Sequence, residues 1–464
     1  MKTMMSESMK KEFGRAMRGI ALVGVIAGAC PPGAWAQQAE APGALERRVD
    51  AAFEAAFPLY EMARARFNAM VNPLNPAPSP VNGTPVNRRN LIDHTARDVT
   101  TPNNDTLYSA TWLDLHATPV RIRVPRVEGG RYWSVALLDI FTNNFAILGR
   151  QQDGEGPVEV TVVGPQWAGP LPGGRVIRSP SNDVQLVGRF LVDGPADLDA
   201  VHRIQDGVRV EPLDRAAKTL PQWVPVRTST DPENFLAVVN EMLSRNPLPA
   251  TEVSAFSNWA DLGVGGGAFA FNRTSAAVQA AWHARLPALH QGLREGLQRG
   301  AKKVDGWSVP SPDVGDFGQN HSLRAAVAFG GLSALPSREA IYLNLEEDPA
   351  TGAPLDGRRP WKLIVPPIAA KGFWSISMYE KDAEGRLFFA ANPIGRYSVG
   401  DRTHGVQRMP DGSIELLLQH NPPADTRNWL PTPAGTFAMT LRVYGPSKSM
   451  LDGKAPLPRL IPAN

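Results

Sequence analysis

The residues best suited to chemistry lie in one short run, Asn103-Asn104-Asp105-Thr106, with Tyr108 two places further on. A carboxylate, two amides and a phenol at that spacing suffice for a general acid or base at Asp105 and a hydrogen-bond donor at Tyr108. Asn103 and Asn104 would then contact the substrate. The competing reading is a turn in which Asn and Asp bond their own backbone, which such knots do more often than catalysis. A second concentration is Arg396-Tyr397 with Asp401-Arg402 and Asn428-Trp429. Arg396 could grip a reacting acid, and Asp401 and Trp429 could bind a carboxylate-bearing or sugar-like ligand. Against that, Asp401 and Arg402 could pair within a loop while Trp429 plugs the end of a sandwich.

Spacing argues against several other chemistries. The 8 histidines form no His-x-His or His-x-x-x-His pair, so a metal held by sequence-close ligands is not expected. Gly263 to Gly267 is glycine-rich but is followed by no Lys-Ser/Thr, and no Gly-x-Ser-x-Gly elbow occurs. Neither a metal nor an organic cofactor is expected.

These candidates need a scaffold, and the patterning supplies a mainly β one. Leu107–Leu115, Val120–Val124, Tyr132–Asp139, Phe145–Gly149, Val158–Val163, Val176–Ile177 and Val184–Val192 are strand candidates separated by Gly/Pro turns. A second series follows at Ala340–Leu345, Trp361–Val365, Phe373–Tyr379, Ile414–Gln419 and Met439–Tyr444, with Asp411-Gly412 as a hairpin signal. Between them, apolar residues recur at helical spacing from Asp231, over Gln279 to Leu297, and over His321 to Phe329. Val49, Phe53, Ala56, Phe57 and Tyr60 predict an amphipathic helix packed on the first β domain. Two phrases look alike: Arg131-Tyr-Trp-Ser-Val-Ala-Leu-Leu-Asp139 and Gly372-Phe-Trp-Ser-Ile-Ser-Met-Tyr-Glu380. They hint at two related domains.

Residues 1–36 have the form of a cleaved export signal. Four bases from Lys10 to Arg18 precede an apolar run, and Ala34-Trp35-Ala36 supplies small residues for cleavage. That placement implies a periplasmic or secreted protein, with lipidation at Cys30 as the lesser alternative. Removing the five bases and two acids of this segment from the totals of 48 and 45 leaves the rest formally neutral. No electrostatic case for nucleic acid remains. The single cysteine lies in the same segment, so no disulfide is expected beyond it.

Pro102-Asn103-Asn104-Asp105-Thr106-Leu107-Tyr108, Trp112-Leu113-Asp114-Leu115, Arg131-Tyr132, Val162-Val163-Gly164-Pro165-Gln166-Trp167 and Gly188-Arg189 resemble the DUF1254 domain. Phe373-Trp374-Ser375, Asn392-Pro393-Ile394-Gly395-Arg396-Tyr397, Gly400-Asp401-Arg402-Thr403 and Leu441-Arg442-Val443-Tyr444-Gly445-Pro446 resemble the DUF1214 domain. His404 stands where that pattern commonly has proline. The resemblance implies two jelly-roll-like antiparallel β-sandwich domains bridged by a helical segment, in a protein that is often exported and oligomeric.

The expected organisation is a signal over 1–36, a helix and loop over 37–85, and a first sandwich over 86–229. A helical bridge over 230–335 and a second sandwich over 336–464 complete it. The expected function is that of a hydrolase or lyase acting on a small organic or glycan-like molecule at the inter-domain cleft. The alternative is a non-catalytic ligand-binding or oligomeric scaffold protein. Neither nucleic acid nor a membrane span of the mature chain enters this reading, and a homo-oligomer does.

Overall fold

The computed structural model describes residues 43–463 apart from 76–77, 98–99, 300 and 384. The expected signal over residues 1–36 and Cys30 lie outside the described residues. Alternating apolar residues form two β-sandwiches, each a larger sheet packed on a smaller one. In the first, the strands are β1 (Val86–Asn87), β2 (Thr106–Asp114), β3 (Val120–Val124), β4 (Trp133–Leu138), β5 (Asn144–Gly149), β6 (Val158–Val163), β7 (Arg175–Arg178), β8 (Asp183–Leu191) and β9 (Arg209–Pro212). They form a five-stranded sheet, β1-β2-β8-β4-β5, facing a four-stranded sheet, β7-β6-β3-β9. Leu107, Leu113, Ile122, Trp133, Val135, Val160, Leu186 and Phe190 fill the space between.

The second sandwich contains β10 (Lys302–Val304), β11 (Trp307–Val309), β12 (Ala340–Leu345), β13 (Trp361–Val365), β14 (Ala370–Lys381), β15 (Leu387–Phe388), β16 (Ser398–Gly400), β17 (Ile414–Gln419), β18 (Trp429–Pro431), β19 (Phe437–Pro446) and β20 (Arg459–Pro462). Its larger sheet runs β10-β11-β12-β19-β14-β15, with β16 also on β14, and its smaller sheet runs β18-β17-β13-β20. Both sandwiches are antiparallel except for β6 with β7 and β17 with β18, which pair in parallel after long returning loops. The Asp411-Gly412 turn forms, with Gly412 at φ 84, but no strand precedes it. β17 pairs with β13 and β18 instead.

The helices form a third layer. α1 (Ala44–Met70), α2 (Leu198–Gly207), α3 (Pro232–Arg245), α4 (Ala250–Ser257), α5 (Ala276–Arg299) and α6 (His321–Gly330) are its main members. Asp231 caps α3 by accepting from Glu233 N at 3.2 Å, with Pro232 in the first turn. The N-terminal helix divides its loyalty. Val49, Phe53, Phe57 and Tyr60 pack into one core with Phe235, Val239, Trp282 and Leu286 of α3 and α5, whereas Met62 packs on the first sandwich. The expected packing on the first β domain is made near the C-terminal end of the helix, and the rest of its apolar surface joins the other helices.

A buried charge network ties these layers together. Arg245 of α3 donates twice to Asp183 of β8, at 2.7 Å each, and Arg66 of α1 lies 3.5 Å from the same carboxylate. Burial alone would raise the Asp183 pKa, but Arg245 and Arg66 outweigh it and hold the group below its ordinary value. Asp139, in the turn after β4, is the opposite case. Burial pushes its carboxyl up to about 6, against hydrogen bonds from Asn143 and Phe141.

Two outcomes follow from these groups. Arg245→Ala leaves a buried carboxylate without its main partner and is expected to lose about 3–5 kcal/mol in urea denaturation. For Asp139 the native state holds its proton more tightly than the unfolded chain. Its contribution is therefore present below about pH 4 and lost as pH rises through about 6. Relative to Asp139→Asn, the wild type should lose about 3 kcal/mol between pH 3.5 and pH 7, read as the difference between the two denaturation curves.

Candidate functional site

The five-stranded sheet is buried on both faces. One faces its own sandwich, and the other faces the larger sheet of the second sandwich. Period-two alternation decides which residues enter this inter-domain layer. From the first domain come Tyr108, Trp112, Ser134, Val187, Arg189 and Leu191, and from the second come Tyr342, Phe373, Ser375, Ser377, Arg442 and Tyr444. Gly372 makes close approach possible: a Cβ there would sit 2.9 Å from the Tyr132 ring. Phe373 and Tyr444 then stack with centroids 4.3 Å apart, and Tyr132 meets Phe373 edge-on and Tyr444 at a tilt.

The Asn103–Asp105 knot is both turn and docking element. Asn103 accepts from Asp105 N at 2.6 Å, as an Asx turn requires, and donates to the Tyr444 hydroxyl at 2.8 Å. Asp105 accepts from Ser375 Oγ at 2.6 Å and from Ser398 Oγ at 3.3 Å, both in the second domain. Burial pushes the Asp105 carboxyl above its ordinary value, with Arg442 and the two serines pulling the other way. Asn104 turns back to its own domain and donates to Ile92 O at 2.5 Å.

Arg442 sits beneath this knot, 3 % exposed. It donates to Ser377 Oγ at 2.7 Å, to the Thr101 and Pro102 carbonyls at 3.1 Å each, and to the Tyr379 hydroxyl at 2.6 Å. Burial works against its charge, but Tyr379, Tyr444 and Asp105 outweigh that and raise its pKa.

Across the layer is an arrangement with the same register. In the first domain Arg189 of β8 is paired with Tyr108 of β2 and Ser134 of β4. In the second, Arg442 of β19 is paired with Tyr342 of β12 and Ser375 of β14. Each sheet thus carries a Tyr–Arg–Ser row across three adjacent strands. The two similar phrases of the sequence supply the serine of each row, and their aromatic residues Tyr132 and Phe373 meet at 5.6 Å. A third buried group completes the layer. Glu339 accepts from Tyr132 Oη at 2.8 Å, Gln151 at 2.9 Å and Gln152 at 3.1 Å, and burial raises its pKa.

Of the sequence candidates, Asp105, Tyr108 and Asn103 come together in this layer. Arg396, Asp401 and Trp429 do not join them. Arg396 fastens a loop of its own domain by donating to the Thr426, Arg427 and Trp429 carbonyls at 2.7, 3.1 and 2.8 Å. Trp429 is buried and donates to Gln419 O at 2.9 Å, and exposed Asp401 accepts from Trp374 N at 3.2 Å. Arg402 pairs with Asp193 of the first domain at 2.7 Å rather than with its neighbour Asp401. Sequence reasoning passed over Arg189, Glu339, Tyr342 and Arg442. For Arg189, Tyr342 and Arg442 the available signal was their parity on strands whose alternate residues are largely apolar, whereas Glu339 precedes its strand and carried no such signal. Among the described residues no group of three or more His, Cys, Asp or Glu could hold a metal ion, and no helix is long and apolar enough to cross a membrane.

Comparison with known proteins agrees with this division. Residues 83–212 match the model of DUF1254 and residues 339–448 that of DUF1214, both described as protein of unknown function. No curated protein matches the chain. Its fold is similar to the crystal structure of the VPA0106 protein from Vibrio parahaemolyticus, with a TM-score of 0.70 and 21% identity, over 90% of this chain and 100% of that one. An uncharacterised protein from Burkholderia cenocepacia aligns more loosely, at a TM-score of 0.44 and 13% identity over 90% and 94% of the two chains. With both hallmark domains present and in register with the two sandwiches, the chain belongs to the two-domain DUF1254/DUF1214 family.

Proposed function

We propose that the protein is an exported enzyme without an organic cofactor, a hydrolase or lyase that handles a small organic or glycan-like molecule between its two β domains. The observation that carries this reading is Asp105. Its carboxyl is lifted by burial, held by hydroxyls from the other domain, and still partly accessible. A carboxylic acid with a raised pKa can give a proton to a leaving group and, once ionised, take one from water or substrate. Tyr108 faces the same inter-domain layer and carries a hydroxyl that can donate a hydrogen bond. Export rests on the basic-then-apolar leader, and assembly into a homo-oligomer belongs to the same reading.

One observation favours the alternative of a non-catalytic ligand-binding or scaffold protein. Both Asp105 oxygens already accept hydroxyls, as a latch between domains would require.

An activity screen of the purified mature protein separates the two. Asp105→Asn should keep its circular dichroism spectrum and lose turnover by about 10²–10⁴-fold, with a smaller loss for Tyr108→Phe. Folded variants with full turnover would remove the site assignment. Saturable thermal stabilisation without any product would favour the binding protein.

A further inference from the structure

We infer that Arg189 anchors a monocarboxylate subsite between the two sheets, with the acid group of a small molecule on its guanidinium and a flat apolar body against Tyr108 and Tyr342. The inference rests on the reading above in one respect, that ligands enter the inter-domain layer.

Its basis is the inequality of two arginines in equivalent places. Arg442 and Arg189 occupy the same position in matching Tyr–Arg–Ser rows. The first is met by two carbonyls and two hydroxyls. For Arg189, 6 % exposed, the one acceptor is Ser333 O at 2.9 Å, presented by a residue held at φ 66. Its Nε and Nη1 have no hydrogen-bond partner, and among the described residues no carboxylate forms an ion pair with it. Its guanidinium lies over the Tyr108 ring, 5.3 Å from the centroid. A buried guanidinium short of acceptors is costly unless something supplies them.

The surroundings narrow what that something is. Arg189 faces Tyr108, Tyr132, Tyr342 and Tyr444, and Glu339 is the acid whose charge it feels. The Glu339 oxygens are already taken by Tyr132, Gln151 and Gln152. One negative charge balances one guanidinium, whereas a dianion would add repulsion from Glu339. Tyr108 and Tyr342 are each partly rather than fully buried where they pack against this layer. Two phenol rings and the apolar side chains of Trp112 and Leu335 suit an aromatic or unsaturated body.

The test is calorimetric titration and thermal shift of the full mature chain with benzoate, neutral benzamide and inorganic phosphate. Benzoate should bind saturably and benzamide should not. Arg189→Met should weaken benzoate at least tenfold, and Arg189→Lys should retain part of the affinity. Because the wild-type guanidinium lacks acceptors, Arg189→Met without ligand should melt no lower than the wild type. A lower melting temperature together with unchanged benzoate affinity would overturn the subsite, as would wild-type protein that ignores benzoate. Arg189-dependent binding of phosphate in its place would also overturn it. Asp105→Asn keeps the two readings apart. Loss of turnover with benzoate binding intact supports both, and loss of turnover in a protein that never binds benzoate rejects the subsite alone.

Discussion

A guanidinium taken out of water must be given acceptors, and for Arg442 these come from both halves of the chain. Ser377 and Tyr379 belong to its own sheet, but the Thr101 and Pro102 carbonyls belong to the entrance of a strand in the other sandwich. Neither domain alone can satisfy it. Much else follows from this demand. The loop must be held in one shape, which the Asn103 turn does, and it must be pinned to the second sheet, which Asp105 does through Ser375 and Ser398. The charged layer between the sheets is therefore as specific as an apolar core, since a slip of one residue would strand several buried polar groups at once.

The helical layer meets the same requirement in a different way. Asp183, at the start of β8, is the convergence point of Arg66 and Arg245 from two helices. The strand that carries Arg189 near its far end is thus fixed at its beginning by an ion network and along its length by two neighbours. Tyr108, Arg189, Tyr342 and Arg442 sit on strands, and Asn103 and Asp105 sit in a turn pinned to the second sheet, which suits an arrangement whose geometry has to be held closely.

Alternation made much of the scaffold legible. Val120–Val124, Val158–Val163, Ala340–Leu345, Trp361–Val365 and Ile414–Gln419 are strands with the bounds expected from their apolar residues. Short elements escaped because three or four residues carry no clear period, as in the β10–β11 hairpin and β20. The candidate site was half legible. Asn103, Asp105 and Tyr108 stood out because polar side chains gather there, and the structure places them in the inter-domain layer. Arg189 did not stand out, since it is a lone charge on a strand face it shares with Val187 and Leu191. That a second sheet covers this face is a tertiary fact with no local signature. Arg396 misled for the converse reason. Its polar neighbourhood is real, but its acceptors are backbone carbonyls that no residue pattern announces.

The paired rows of the two sheets have one more consequence. Related positions meet across the layer as they would at the two-fold axis of a dimer, here with both protomers on one chain. In a true dimer the two arginines would be identical and identically surrounded. Covalent fusion releases that restriction, so one half could spend its strand-entrance loop on sealing the other while its own arginine received no such cover. For the proposed subsite, the stoichiometry this favours is one ligand per polypeptide, held off the pseudo-axis and in a single orientation.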